Sequence, residues 1–397
     1  MTKLLIINIT CNQGSTGKIS EQVGELMKER GWDVYYAHGA RRVNPSKLRT
    51  IRIGSKISEY VHAFMGRVFD AEGYGSTRET RLLIKEISKV SPDIVHIHNV
   101  HGYYLNFKIL FNYLKVLQIP VVWTLHDCWA ITGRCAYFDY PQCDRWMEGC
   151  GKCYNLSKYP STLWIDRSHK HFEDKKNAFS GFDKLYLVPV SEWLSSLLKQ
   201  SFLSKYPISV FHNGIDLSVF HPYEKKSDGF FHIIAVSNVW DNRKGLIDII
   251  KLRGLLPDDY KIVVVGLTKK QIRELPEGID GIVSTSSQIE LAKLYSQADV
   301  LINPTYEDNF PTVNLEALAC GTPVITYNTG GSPEAIDVNT GVIVDKGNFV
   351  EMAEQIKNMK VSPLSSKDCR DRAEKMFDKN QCFMNYAGLF NKILNIH

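Results

Sequence analysis

Residues 303–331 read NPTYEDNFPTVNLEALACGTPVITYNTGG. Upstream, ADVLINPT is a short apolar strand stopped by Pro304, NLEALACG is a helix closed by Gly321, and PVITY is a second strand. This strand, loop, helix, strand unit belongs to an α/β sheet, where ligands bind at strand ends beside helix N-termini. Asp308, preceded by Glu307, lies eight residues before Glu316. A carboxylate at each end of the loop suits hydroxyls of a sugar and a ribose, and backbone N–H groups of Thr312 and Val313 suit phosphate oxygens. A solvated loop acid and an ordinary helical Glu fit the same spacing equally well.

Around this unit, strands and helices alternate in two tracts. LLIINI, DVYYAH, DIVHIHN, PVVWTLHD and KLYLVPVS form the first set of strands; FHIIAVSNV, KIVVVGL, DGIVST, ADVLINPT, PVITYN and GVIVD form the second. Helical stretches such as ISEQVGELMKERG and QIELAKLYSQA lie between them. The alternation predicts two doubly wound α/β domains. At 397 residues the chain has room for two domains of roughly 150–200 residues, each with its own core. FHNGIDLSVFHP, with a turn at Asn213–Gly214 and a stop at Pro222, separates the tracts.

The stretch around Glu316 resembles the signature of the family 4 retaining glycosyltransferases of the GT-B fold. That signature reads E, seven residues, E, then A-x-A-x-G-x-P-V; Glu316, Ala317, Ala319, Gly321, Pro323 and Val324 match it. Its first acid falls on Asp308, with Glu307 beside it, and the family's Gly-rich turn is replaced by Asn309, Phe310, Pro311 and Thr312, so the resemblance implies that Glu307 and Phe310 belong to the donor-binding set. The resemblance implies two Rossmann-like domains facing a central cleft. Residues 1–213 form the acceptor-side domain, completed by a terminal helix at 381–397, and residues 214–380 bind the nucleotide sugar. It further implies an EC 2.4 hexosyl- or glycosyltransferase that needs no catalytic metal, moving a sugar from a UDP- or GDP-sugar to a glycan or lipid-linked acceptor in capsule, lipopolysaccharide or other surface-polysaccharide biosynthesis. The alternative is a sugar-nucleotide binding protein or epimerase-like enzyme of the same fold.

Further residues fall at the family's landmarks. Gly14 and Gly17 follow the first strand and let a helix start approach a diphosphate, although a ligand-free turn would look the same. In VSNVWDNRKGL, Ser237 and Asn238 stand where the family has G-R, so Lys244 carries over and Arg243 is the candidate substitute for the missing arginine. His126 ends a strand where the family places a His against the donor sugar. With Asp308 and Glu316 it makes up the expected reaction centre. Asp127, His98, Asn99 and His101 are acceptor-side or structural, and Ser191 and Glu192 follow the first domain's last strand.

Two features stand outside this scheme. Cys135, Cys143, Cys150 and Cys153 fall within nineteen residues, and four thiolates at such spacing either hold a structural zinc or remain free thiols. Charge is also uneven: residues 1–216 carry 28 Lys and Arg against 20 Asp and Glu (28 − 20 = +8), whereas residues 217–397 carry 20 against 23 (20 − 23 = −3). Arg41, Arg42, Lys47, Arg49, Arg52, Lys56 and Arg67 interleave with Tyr60, Phe64, Met65, Val68 and Phe69. That pattern fits either a solvated helical face or peripheral contact with anionic lipid. The acidic second half and the lack of a basic aromatic platform argue against nucleic acid. No apolar run reaches the roughly 18–20 residues of a membrane span, and MTKLLIINIT lacks a secretory cleavage pattern. The expected place is the cytoplasm, on the inner face of the membrane where lipid contact applies.

Overall fold

The computed structural model describes residues 1–396. The chain divides into two compact units, one of residues 1–211 with 383 onward and one of residues 212–382.

In the first unit the elements run β1 (Lys3–Asn8), α1 (Gly14–Glu29), β2 (Asp33–His38), β3 (Arg49–Arg52), α2 (Lys56–Phe69), α3 (Thr77–Val90), β4 (Ile94–Ile97), α4 (Phe107–Leu117), β5 (Val121–Leu125), α5 (Ser168–Phe179), β6 (Leu185–Pro189) and α6 (Glu192–Gln200). The strands form one parallel sheet in the order β3-β2-β1-β4-β5-β6, with Leu4 paired to both Val34 and Ile94. Apolar runs such as LLIIN are buried on both faces, as a sheet covered by helices on each side requires. β3, RTIR, is an edge strand with exposed arginines, which is why hydrophobic patterning does not find it.

The second unit runs β7 (Phe231–Val236), α7 (Leu246–Arg253), β8 (Tyr260–Val265), α8 (Lys269–Arg273), β9 (Ile279–Ile282), α9 (Gln288–Gln297), β10 (Val300–Asn303), α10 (Thr312–Ala319), β11 (Val324–Tyr327), β12 (Gly341–Val344), α11 (Phe349–Val361) and α12 (Ser366–Phe377). Its parallel sheet has the order β12-β11-β10-β7-β8-β9. The order reverses direction at β10-β7, so the C-terminal ends of these two strands flank a switch point.

The last helix, α13 (Lys379–Leu394), follows directly. From Phe383 onward it belongs to the first unit, where Tyr386 and Phe390 lie 5.2 and 5.3 Å from the His96 ring and Trp32 packs on Phe390 at 6.1 Å.

Candidate functional site

The second unit gathers its charged residues where β7 and β10 end. Asp241 caps a short 3₁₀ turn, Asn242–Lys244, that precedes α7. Gly245 closes the turn at φ +76°, and a Cβ there would stand 2.1 Å from the Pro304 carbonyl oxygen. Only glycine lets the cationic turn approach the end of β10 this closely. Tyr306 N–H donates to the Arg243 carbonyl at 2.7 Å, and the Arg243 guanidinium donates to the Glu307 carbonyl at 2.6 Å. Lys244 Nζ makes a charge-assisted hydrogen bond to Asp308 Oδ2, with both side chains about four-fifths buried.

The loop is held from behind as well. Asp248 on α7 is buried and accepts the hydroxyls of Tyr306 (2.7 Å) and Tyr327 (2.9 Å). Gly331 N–H donates to the Asp308 carbonyl at 3.1 Å. Glu307 is fully buried, whereas Asp308 keeps about a fifth of its side chain exposed. α10 then starts behind Pro311 with no side-chain cap, so the N–H groups of Thr312 and Val313 have no acceptor within their helix. Glu316, one turn on, accepts the Tyr295 hydroxyl at 2.9 Å. The turn before α7 carries Arg243 and Lys244 against the loop that holds Asp308 and buried Glu307, and α10 follows with Thr312, Val313 and Glu316.

Phe310 is a correction. Its ring is buried, stacked on His212 at 4.5 Å and 9° and packed 5.9 Å from Phe377, so it serves the core rather than a sugar. Replacing the family's glycines with Phe-Pro anchors this turn inward. His212 also pairs with Glu334 at 3.1 Å, and Asn213 reaches the Phe310 carbonyl at 3.4 Å.

In the first unit, the ends of β4 and β5 bring the histidines together. His98, His101, Asn99, His126 and Asp127 line one small pocket with Trp129. His98 Nδ1 and His126 Nε2 are 2.9 Å apart with their rings stacked, so one of them must donate as a neutral tautomer. Burial pushes His126 down to about 4 and His98 well below its ordinary value. His101 behaves oppositely. Burial disfavours its imidazolium, but Asp127, 2.7 Å away, outweighs that and raises its pKa, while Asp127 is lowered in return. Asp127 also accepts the Trp129 N–H at 2.9 Å, and His101 meets the Tyr159 hydroxyl at 2.8 Å.

Sequence reasoning misses two residues behind this pocket. Glu72 accepts the Trp129 indole N–H and the Gly102 N–H, each at 2.9 Å. Buried Lys175 donates to the Trp129 and Thr132 carbonyls at 2.7 and 3.1 Å and lies 3.5 Å from the Trp129 ring centre; burial brings its pKa down to about 7. Neither residue sits in a motif.

Gly14 and Gly17 part company. Gly14 opens α1 at φ +67° with open space around it, and Gln13 supplies no side-chain cap. A Cβ on Gly17 would stand 2.6 Å from the Thr10 hydroxyl, so this glycine is set by packing of α1 on the end of β1. Ser191 caps α6 through the Leu194 N–H at 3.1 Å and is structural, with exposed Glu192 in the first turn.

The zinc expectation finds no support in the side-chain geometry. Cys135, Cys143, Cys150 and Cys153 line one pocket, yet among the described residues no three His, Cys, Asp or Glu side chains group to hold a metal. Their sulfurs are engaged locally: Cys150 Sγ accepts the Gly133 N–H at 3.1 Å, and the Cys135 thiol hydrogen-bonds Cys153, lowering the Cys153 pKa to about 6.

Among the basic and aromatic residues, Tyr60, Phe64 and Phe69 are exposed, joined on α2 by exposed Ile57 and Val61, while Met65 and Val68 are half-buried. Arg41 spans Tyr60 at 5.0 Å and pairs with Glu59 at 2.6 Å. Leu163, next to exposed Trp164, is tied to the end of α2 by a 2.9 Å bond to the Arg67 carbonyl. No helix among the described residues is long and apolar enough to cross a membrane.

Comparison with known proteins agrees with the two-unit fold. The family model described as Glycosyltransferase Family 4 matches residues 20–219, and that described as Glycosyl transferases group 1 matches residues 231–360. A protein of Escherichia coli (strain K12) named as a colanic acid biosynthesis glycosyl transferase, WcaC, is 23% identical over 379 residues, covering 89% of this chain and 90% of its own. Among solved structures, sucrose-phosphate synthase of Thermosynechococcus elongatus superposes with a TM-score of 0.74 at 16% identity over 100% of both chains. Anabaena HepE in complex with UDP-glucose gives 0.67 at 13% identity over 99% of this chain and 100% of its own. These structures share the GT-B fold of two α/β units. The chain belongs to glycosyltransferase family 4 and is a glycosyltransferase.

Proposed function

We propose that this glycosyltransferase moves a sugar from a nucleoside diphosphate donor, with UDP- and GDP-sugars the first choices, to a glycan or lipid-linked acceptor in surface-polysaccharide biosynthesis, with retention of anomeric configuration. The observation that carries it is the Lys244–Asp308 pair, four residues ahead of the uncapped start of α10. Lys244, Arg243 and the Thr312 and Val313 N–H groups supply fixed positive charge for a leaving diphosphate, with α1 and Gly14 as a further anion-facing helix start. Of the two neighbouring acids, Asp308 is assigned to hydroxyls of the donor sugar, since Glu307 is fully buried, and Glu316 to those of the ribose.

In this reading the acceptor hydroxyl attacks on the leaving-group side of an oxocarbenium-like transition state and its proton passes to the departing phosphate. His126 serves the reaction centre as a neutral hydrogen-bonding group, because a pKa near 4 leaves it uncharged at neutral pH. His98, Asn99, His101 and Asp127 are assigned to the acceptor. The names of two similar proteins support the substrate classes: WcaC is named for colanic acid biosynthesis, and HepE is described in complex with UDP-glucose. The exposed apolar face of α2 beside Lys56 and Arg67 supports peripheral contact with an anionic cytoplasmic leaflet.

The test begins with thermal-shift screening against UDP, GDP, ADP and their sugar conjugates. A ligand at a hundred times its dissociation constant adds about 2.7 kcal/mol of stability. The expected result is selective stabilisation by one nucleotide, followed by release of nucleoside diphosphate only when a glycan or lipid-linked acceptor is supplied. Release independent of acceptor, or no stabilisation by any nucleotide, overturns the reading.

A further inference from the structure

Tyr295 lies on α9, which packs against α10, and its side chain is fully buried. Two hydrogen bonds tie it to α10 and the turn that follows. Its hydroxyl donates to Glu316 Oε2 at 2.9 Å, and its carbonyl accepts the Thr322 hydroxyl at 2.7 Å. The Phe220 ring packs at 6.4 Å. Burial first, then the neighbouring Glu316 charge, hold the phenol well above its ordinary pKa, so it stays a donor across the physiological range.

Glu316 is half-buried, and a glutamate on a helix has three side-chain torsions to settle. A carboxylate that must accept from a ligand hydroxyl discriminates well only when its plane is fixed beforehand. The tyrosine supplies such a constraint from a neighbouring helix. One oxygen is engaged by a rigid buried donor, and the orientation of the second follows.

We propose that Tyr295 is a positioning residue for donor recognition, aiming the Glu316 carboxylate at the ribose hydroxyls of the nucleotide. This rests on the assignment of Glu316 to the ribose given above.

The test is titration calorimetry on the full chain. The nucleoside diphosphate that stabilises the wild type best is compared with its 2′-deoxy and 3′-deoxy forms. The wild type should prefer the ribonucleotide over at least one deoxy form by about tenfold or more, the scale of a hydrogen bond to a charged group. In Tyr295→Phe, which keeps the ring and its packing, that ratio should collapse to within about threefold of unity, and Y295F combined with Glu316→Gln should lose no more than E316Q alone. A Y295F protein that melts earlier but keeps the wild-type ratio overturns the proposal, because a purely structural tyrosine predicts that outcome. A wild type with no ribose preference removes the Glu316 assignment itself, and the role of Tyr295 with it. Should Y295F not fold, Glu316→Asp withdraws the carboxylate from the phenol by one methylene with the tyrosine in place; an unchanged ratio in E316D overturns the proposal equally.

Discussion

Lys244 and Asp308 neutralise each other across 64 residues of sequence, each about four-fifths buried. The lysine proposed for the diphosphate is therefore already paired when no donor is bound. In the proposed reading, a diphosphate of higher charge draws Lys244 away or shares it, which releases Asp308 toward the donor sugar. Asp308→Asn should tighten binding of the bare nucleoside diphosphate several-fold, since its lysine no longer has a competing anion, while cutting transfer at least about a hundredfold. Lys244→Ala should weaken the nucleoside diphosphate about 10- to 100-fold, the loss of one charge-assisted bond. Calorimetry and initial rates on both variants check this; weaker diphosphate binding in D308N would remove the exchange.

Gly245 tests whether the cationic turn must lie against the end of β10. With φ +76° and the Pro304 oxygen 2.1 Å from any Cβ, Gly245→Ala combines left-handed strain with a backbone collision. The expected cost is on the order of 3 kcal/mol, with a lowered melting temperature and weakened nucleotide binding. A melting temperature equal to wild type would mean that the turn can move away freely.

These relationships mark the boundary of what the sequence reveals. LLIIN and VITY announce buried parallel strands because both faces are apolar, and the alternation with helices leads to the two-sheet fold. β3 and α12 stay hidden: RTIR is an exposed edge, and SKDCRDRAEKMF is dominated by charge, so neither carries an apolar signal. Lys244, Asp308 and Glu316 can each be named from motif position, but their partners cannot. Nothing local to Glu316 reports that Tyr295 stands over it, nor that Asp248 pins two tyrosines. Phe310 misleads for a related reason: an aromatic in a loop looks ligand-facing until His212 and Phe377 are seen to cover it.

On α2, Ile57, Tyr60, Val61 and Phe64 follow helical spacing on an exposed face, with Lys56 and Arg67 near its two ends. Replacing Lys56 and Arg67 by serine should reduce co-sedimentation with phosphatidylserine-containing vesicles by about fivefold per charge at low salt, with the difference shrinking as salt rises. Phe64→Ser should weaken binding with little salt dependence, since it removes insertion rather than attraction. Equal sedimentation of all variants would return this face to the role of a solvated helix.

The His101–Asp127 pair sets a pH signature. The folded His101 pKa is raised and that of Asp127 is lowered. A raised histidine contributes stability that is fully present below its ordinary pKa of about 6.5 and is lost as pH rises through the folded value. A lowered aspartate contributes stability present above about 3.9 and lost as pH falls through its folded value. Both contributions are therefore at full strength between about pH 4 and 6.5; the His101 contribution declines on the alkaline side and the Asp127 contribution on the acid side. Asp127→Asn leaves His101 buried without its counter-charge, so its imidazole should deprotonate more readily. The melting-temperature gap between wild type and D127N should be widest near pH 5.5 and should narrow above the raised His101 value. His101→Asn should flatten the same alkaline decline. A gap that stays constant from pH 5.5 to 9 would mean that the pair is held as a neutral hydrogen bond, with no charge on the imidazole.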